Sequence, residues 1–165
     1  MSLTGRITLK KGSGLKRLCA RLFLGQFIAE LARKLYERGD INKAVRFYKL
    51  AIMLPLGSGW PLVKLADLLK NPEYKLKLFK RAIRIDNHVW AYTGAIKILL
   101  SQRRLSEAES FFKDLNKTFP VTVWRNNEAA RQEVGRIEKQ LDHEKKSHEA
   151  SLAKKFKIKN QVNLK

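Results

Sequence analysis

The segment with the most suggestive chemistry lies near the N-terminus, where glycine and serine precede a lysine between Gly12 and Lys16. Glycine-rich turns followed by lysine cradle phosphates in nucleotide-binding loops. The spacing that such loops require, Gly-x-x-x-x-Gly-Lys-Ser/Thr after a strand, is absent here. We therefore interpret the segment as a flexible hinge.

The three histidines and the single cysteine do not form a catalytic or metal-binding pattern. His143 and His148 are five residues apart, which places them on different sides of a helix, and no cysteine accompanies them. His88 follows Asn87 at the start of a predicted helix, where a turn role suffices. Cys19 lies among apolar residues and is best interpreted as a small buried side chain. We predict no metal, no cofactor and no enzymatic activity.

The charge balance is the unusual property of this chain. Lys and Arg number 35 against 15 Asp and Glu, a net charge of +20, while apolar types make up 44% of the residues. A core is therefore expected, and so is affinity for polyanions. High charge also favours solubility alone, and that alternative stays open. One cysteine permits no internal disulfide, and no apolar run reaches the roughly 18 residues of a membrane span. We expect a cytoplasmic protein without a transmembrane segment.

Apolar residues recur three and four positions apart along most of the chain, which predicts an all-α fold. We divide the chain into a flexible basic arm (1–14), a helical domain (15–148) and a disordered basic tail (149–165). Two helical pieces are expected to meet near Gly25, because the apolar stripe rotates there. The helices predicted after them span 42–54, 62–69, 73–85, 88–100, 106–117 and 126–148.

The strongest signal is an internal repeat of helix pairs. The first unit contains Leu31-Ala32, Leu35, Gly39-Asp40-Ile41, Ala44, Tyr48, Ala51 and Leu54-Pro55; the second contains Leu65-Ala66, Leu69, Phe79, Ala82, Ile83 and Ile85-Asp86; the third contains Trp90, Gly94, Leu105, Ala108, Phe112 and Pro120. Ala51, Ala82 and Leu115 stand 31 and 33 residues apart. These residues resemble the tetratricopeptide repeat (TPR), whose period is about 34. The first unit matches well and the other two are degenerate.

The resemblance implies a right-handed stack of antiparallel helix pairs. Helices at 15–24 and 126–148 are placed to cap its two ends, because stacked pairs need covered ends. In such stacks the first helices line a concave groove that commonly clamps a peptide or an acidic C-terminus. The candidate groove residues are Arg33, Tyr36, Lys64, Asp67 and Lys70.

Second helices lie on the convex side of such stacks, and here they carry basic side chains without interleaved acids. The candidate outer stripe comprises Lys77, Lys80, Arg81, Arg84, Lys43, Arg46 and Lys49. Further basic residues lie in the segments near the two ends: Lys10, Lys11, Lys16, Arg17, Arg21, Lys154, Lys155, Lys157 and Lys159. A solvated helix face explains the stripe as well as a polyanion site does.

Three functions follow from these patterns. The leading hypothesis is a non-catalytic scaffold that binds another protein and has a surface suited to a polyanion. The second is a nucleic-acid-binding protein that uses the basic arms and the outer stripe. The third is an accessory protein of an anionic polysaccharide system or membrane surface, with peripheral contact through residues 15–24.

Overall fold

A computed structural model describes residues 12–55, 57–120 and 127–162 of the chain, with only the backbone described for 12–21 and 156–162. All regular secondary structure in these residues is helical, which confirms the all-α prediction. The seven helices are α1 (Gly12–Glu37), α2 (Ile41–Met53), α3 (Trp60–Leu68), α4 (Pro72–Asp86), α5 (Val89–Ser101), α6 (Leu105–Thr118) and α7 (Glu128–Val162).

The helices pack as successive pairs, α1 with α2, α3 with α4 and α5 with α6, and each pair contacts the next. Small residues occupy the positions where helices approach each other most closely. Ala32, Ala44, Ala66, Ala82 and Ala108 have no exposed surface. Because alanine keeps the backbones close, these positions set the spacing of the stack.

Local signals fix the turns between the helices. Gly39 adopts a φ of 84° between α1 and α2, a conformation that glycine reaches without strain. Asn71 caps α4 by accepting a hydrogen bond at its Oδ1 from the Tyr74 backbone N–H at 2.9 Å, and Pro72 follows as the first helical residue. Asn87 ends α4 in the left-handed conformation. The predicted ends of α2 to α6 agree with the structure to within two residues.

Two sequence-based expectations about helix boundaries are wrong. Gly25 does not separate two pieces, because α1 runs without interruption from Gly12 to Glu37, so residues 15–24 are not a separate capping helix. A helical glycine costs only about 1 kcal/mol, and the packing of α1 on α2 offsets it. The expected disordered tail is also helical as far as Val162. No glycine or proline interrupts the chain between Gly135 and Val162, so α7 continues.

The first part of α7 covers the last pair of the stack. Ala130, Ile137 and Leu141 are buried along one side of the helix, against α5 and α6. Beyond Leu141 the described side chains of α7 are exposed or half-buried. None of the helices in the described part of the chain is both long enough and apolar enough to cross a membrane.

Candidate functional site

A groove of about 600 Å³ is formed by α3, α4, α5 and α7. It contains both hydrophobic and charged side chains. Its lining residues are Trp60, Val63, Lys64, Asp67, Lys75, Phe79, His88, Trp90, Thr93, Gly94, Lys97, Ile98 and Glu133. Most come from α3 and α5, the first helices of their pairs, which agrees with a groove on the first-helix side.

A glycine in α5 makes the floor of the groove possible. A Cβ atom at Gly94 would lie 2.4 Å from Cζ of Phe79. Only a residue without a side chain therefore lets the Phe79 ring lie directly against the α5 backbone. Phe79 is 2% exposed, so packing holds its ring in place although it lines the groove. The contact brings α4 and α5 together beneath the groove.

A second close contact positions Trp60 at the edge of the groove. Asp86 at the end of α4 accepts hydrogen bonds at Oδ2 from the Gly59 backbone N–H at 2.9 Å and from the Ser58 hydroxyl at 3.1 Å. The Ser58 hydroxyl in turn accepts a hydrogen bond from the Trp60 backbone N–H. These bonds tie the start of α3 to the end of α4. The Trp60 ring also contacts Tyr48 edge-on, with the ring centroids 6.1 Å apart.

The charges inside the groove are mostly positive. Lys97 pairs with Glu133, whereas Lys64 and Lys75 form no ion pair with a described acid. Burial raises the pKa of Asp67, although nearby Lys64, Lys75 and Lys97 act in the opposite direction. Two ammonium groups thus share the groove with one carboxylate that is not tied to a single partner. The local field favours an additional negative charge.

His88 contributes a polar atom that lacks a partner. Its Nδ1 is buried and makes no hydrogen bond within the described residues. Burial lowers the pKa of His88, and Lys64 lowers it further, while Asp86 raises it. The ring is therefore held neutral near pH 7. An unsatisfied buried group of this kind costs about 1–3 kcal/mol.

A smaller cavity of about 40 Å³ extends the groove toward the first pair and is lined by Tyr36, Tyr48, Lys64, Asp67 and Leu68. Lys64 and Asp67 line both cavities and so lie where the two cavities meet. Burial raises the pKa of Tyr48 to about 12.

Only some of the predicted groove residues line a cavity in the structure. Lys64 and Asp67 line the large groove and Tyr36 lines its extension. Arg33 lies outside both cavities, bound to Glu30 and Glu37 on its own helix. Lys70 is exposed after α3 and lines neither cavity. The groove also contains lining residues that were not expected from the sequence: Trp60, Lys75, His88, Trp90 and Lys97. Trp60 and Trp90 stand near helix starts, a signal that could have identified them.

Three residues of the outer stripe interact with other parts of the protein, and the other four form no ion pair with a described acid. Lys80 lies over the Phe111 ring at 5.6 Å, Arg81 donates from Nη2 to the Ile52 carbonyl at 2.8 Å, and Lys43 pairs with Asp40 at 3.2 Å. The remaining four are exposed and form no ion pair with a described acid: Arg46, Lys49, Lys77 and Arg84. Part of the stripe thus holds helices together.

The basic arms lie at the limits of the described residues. Lys10 and Lys11 fall outside them, and Lys16, Arg17 and Arg21 lie on the described backbone of α1. Lys154 and Lys155 are exposed on α7, and the backbone of Lys157 and Lys159 continues the same helix. Within the described part of the chain, no three His, Cys, Asp or Glu side chains converge to hold a metal.

The comparison with known proteins supports the repeat fold. No protein-family model matches the chain, and no curated protein matches it. Among solved structures, the chain is similar to "Arabidopsis OM64 TPR domain", with a TM-score of 0.53 and 21% identity over 72% of this chain and 98% of that one. At this identity the similarity establishes the fold alone. The chain therefore has a TPR-like helical repeat fold.

Proposed function

We propose that this protein is a non-catalytic scaffold that binds an acidic segment of a partner protein in the groove between α3, α5 and α7. The main observation is the set of groups that the groove leaves without partners. Lys64 and Lys75 form no ion pair with a described acid. A carboxylate-bearing chain supplies the missing charge.

The aromatic side chains of the groove suit a peptide. Trp60 and Trp90 stand on its two sides, on α3 and α5, and Trp90 is 36% exposed. Tryptophan is enriched among the few residues that supply most of the binding energy at protein interfaces. The two carboxylates of the groove differ in their neighbours, since Glu133 is paired with Lys97 and Asp67 lies near three lysines. This arrangement of charges is suited to the recognition of a charged ligand. A cytoplasmic location is part of the proposal.

The experiment has two steps. Partners are first captured from nuclease-treated lysate with the wild-type protein, with the Lys64→Glu/Lys75→Glu variant and with Lys70→Glu. Lys70→Glu is the control for charge reversal at an exposed lysine outside the groove. A partner that binds the groove is retained by wild type and by Lys70→Glu and is lost from the double variant. Equal capture by all three proteins contradicts the proposal.

The second step measures binding of the mapped partner peptide by tryptophan fluorescence. Trp124, which lies outside the described residues, is changed to phenylalanine so that Trp60 and Trp90 report alone. The peptide should change their emission, whereas its counterpart with Gln and Asn in place of Glu and Asp should bind at least tenfold more weakly. A charged contact of about 1.5–3 kcal/mol corresponds to a factor of that order or more. Equal affinity for both peptides would rule out an acidic ligand.

A second candidate function is the binding of a polyanion such as nucleic acid or an acidic polysaccharide. It is supported by the net charge of +20 and by four exposed cations of α2 and α4 that form no ion pair with a described acid: Arg46, Lys49, Lys77 and Arg84. Affinity that depends on phosphate contacts falls steeply with salt, with a logarithmic slope of about −0.9 per contact on duplex DNA. Changing these four residues to alanine should flatten the slope by three or four such units. An unchanged slope would mean that these four residues do not contact the polyanion.

A further inference from the structure

Exposed hydrophobic side chains concentrate on the first helix pair. Eleven large hydrophobic side chains of the described residues are exposed, and eight of them lie on α1 and α2. The most exposed are Met53 at 80%, Phe23 at 77% and Phe27 at 70%. We use the name hairpin patch for Phe23, Leu24, Phe27, Leu31, Leu50 and Met53. Single exposed leucines scattered over a surface need no explanation. A group that includes two largely exposed phenylalanines does need one.

The α1 residues of the hairpin patch occupy one side of that helix. Phe23, Phe27 and Leu31 follow each other at intervals of four residues, on the side of α1 opposite the buried Ala29 and Ala32. Because α1 and α2 are antiparallel neighbours, the end of α2 lies level with the middle of α1. The position of Gly57, where a Cβ would lie 3.5 Å from Nε2 of Gln26, agrees with this alignment. Met53 and Phe23 therefore lie at the same end of the pair.

The charges around the hairpin patch are positive and unneutralised. The described acids of this pair all have basic partners nearby: Arg33 binds both Glu30 and Glu37, and Lys43 binds Asp40. Four exposed cations form no ion pair with a described acid: Lys34, Arg38, Arg46 and Lys49. Arg46 and Lys49 lie on the same exposed side of α2 as Leu50 and Met53. Free cations thus accompany exposed apolar side chains on both helices.

We propose that the hairpin patch docks this protein on an anionic lipid surface. Phenylalanines inserted at the headgroup boundary, with lysines and arginines reaching the phosphates, are the arrangement by which amphipathic helices lie on membranes. A second copy of the chain fits less well, because two copies with a net charge of +20 each repel one another. A lipid surface also accepts exposed apolar side chains without a shaped pocket.

This proposal goes beyond the proposed function and does not depend on it. The hairpin patch lies on α1 and α2, whereas the lining residues of the large groove come from α3, α4, α5, α7 and the turn before α5. The two surfaces share no residue. A protein docked through the first pair therefore keeps the groove residues available for a partner.

The test is co-sedimentation of the full chain with phosphatidylcholine vesicles that contain or lack phosphatidylglycerol. Wild-type protein should bind the anionic vesicles only. Phe23→Ser/Phe27→Ser should lower the partition coefficient about tenfold for each phenylalanine. Its matched control is Tyr74→Ser/Leu152→Ser, because these side chains are 41% and 42% exposed on other helices, and the control should stay within about twofold of wild type.

A second pair of variants tests the charges. Arg46→Glu/Lys49→Glu should lower the partition coefficient by about fivefold or more for each residue changed. Lys139→Glu/Lys146→Glu makes the same change in net charge at two exposed positions of α7 and serves as the control. Circular dichroism and the peptide assay for the groove should be unchanged in all four variants. A failed groove assay with intact vesicle binding leaves the docking proposal standing.

Three results would overturn the proposal. One is the absence of binding to anionic vesicles by wild type. Another is a partition coefficient that falls equally in the patch variants and in their controls, which would indicate that binding depends on net charge alone and not on the patch. The third is a wild-type dimer, seen by sedimentation equilibrium, that Phe23→Ser/Phe27→Ser dissociates, because a second copy would then cover the patch.

Discussion

Replacing Gly94 by alanine tests the packing on which the floor of the groove depends. In an ordinary helix this change is favourable by about 1 kcal/mol, because glycine is the more flexible residue. Here the new methyl carbon would lie 2.4, 2.6 and 2.9 Å from three ring atoms of Phe79. Carbon atoms pack at about 3.5–4.0 Å, so the ring must move by roughly 1 Å or more.

Phe79 has little freedom to move, because it is 2% exposed and belongs to the main core. Overpacking of this kind costs about 1–3 kcal/mol. Against the gain in helix propensity, which is about 1 kcal/mol, a net loss of about 1 kcal/mol is expected for Gly94→Ala. With a urea dependence of about 2 kcal/mol per molar, the unfolding midpoint should fall by about 0.5 M.

Gly135→Ala is the matched control. Gly135 also lies inside a helix, yet a Cβ there would meet nothing within 4 Å. The same chemical change should therefore raise the midpoint, by about 0.3–0.5 M, through the gain in propensity alone. Both variants are measured by urea unfolding followed by circular dichroism.

Phe79→Leu identifies the atoms responsible for the difference. In that background Gly94→Ala should lose most of its cost, giving a coupling energy of about 1 kcal/mol or more. If Gly94→Ala raises the midpoint as Gly135→Ala does, the close approach of α4 and α5 is refuted, and with it the shape of the groove floor.

Three further changes probe stability by the same unfolding measurement. Asp86→Ala removes the acceptor for the Gly59 backbone N–H, so the free energy of unfolding should fall by about 1.5–3 kcal/mol; an unchanged value means that this bond contributes nothing. Asn71→Ala removes the cap of α4 and should cost about 1 kcal/mol, whereas Asn71→Gly should cost only a few tenths; equal losses argue against capping. Because the pKa of His88 is lowered from 6.5 in the folded state, the unfolded state binds more protons, and stability should fall as the pH drops below 6.5. His88→Gln should weaken that dependence, and His143→Gln, which alters an exposed histidine, is the control.

Helix boundaries were predictable because local chemistry sets them. Gly39, Asn71 and Pro72 stop or start helices in any context, through allowed backbone angles and capping. Expectations failed where the local signal was weak. The helical cost of Gly25 is small compared with the packing of a long helix on its neighbour, so the break predicted there does not occur.

The candidate groove was only partly predictable. The resemblance to a known repeat pointed to Lys64 and Asp67 as groove residues. It could not reveal that Lys75 on a second helix and Glu133 on α7 reach the same cavity. Those residues meet because of how the pairs stack, and stacking depends on side-chain contacts between distant parts of the chain.

The sequence by itself determined the helices, their order in pairs and the excess of positive charge, since each follows from residue type and short-range spacing. Only the tertiary structure decided which cations are free. The sequence placed Arg81 in a candidate ligand-binding stripe. In the structure its guanidinium donates a hydrogen bond to the Ile52 carbonyl of the preceding pair. Whether a side chain is satisfied depends on atoms brought near it by packing, and linear spacing does not encode that distance.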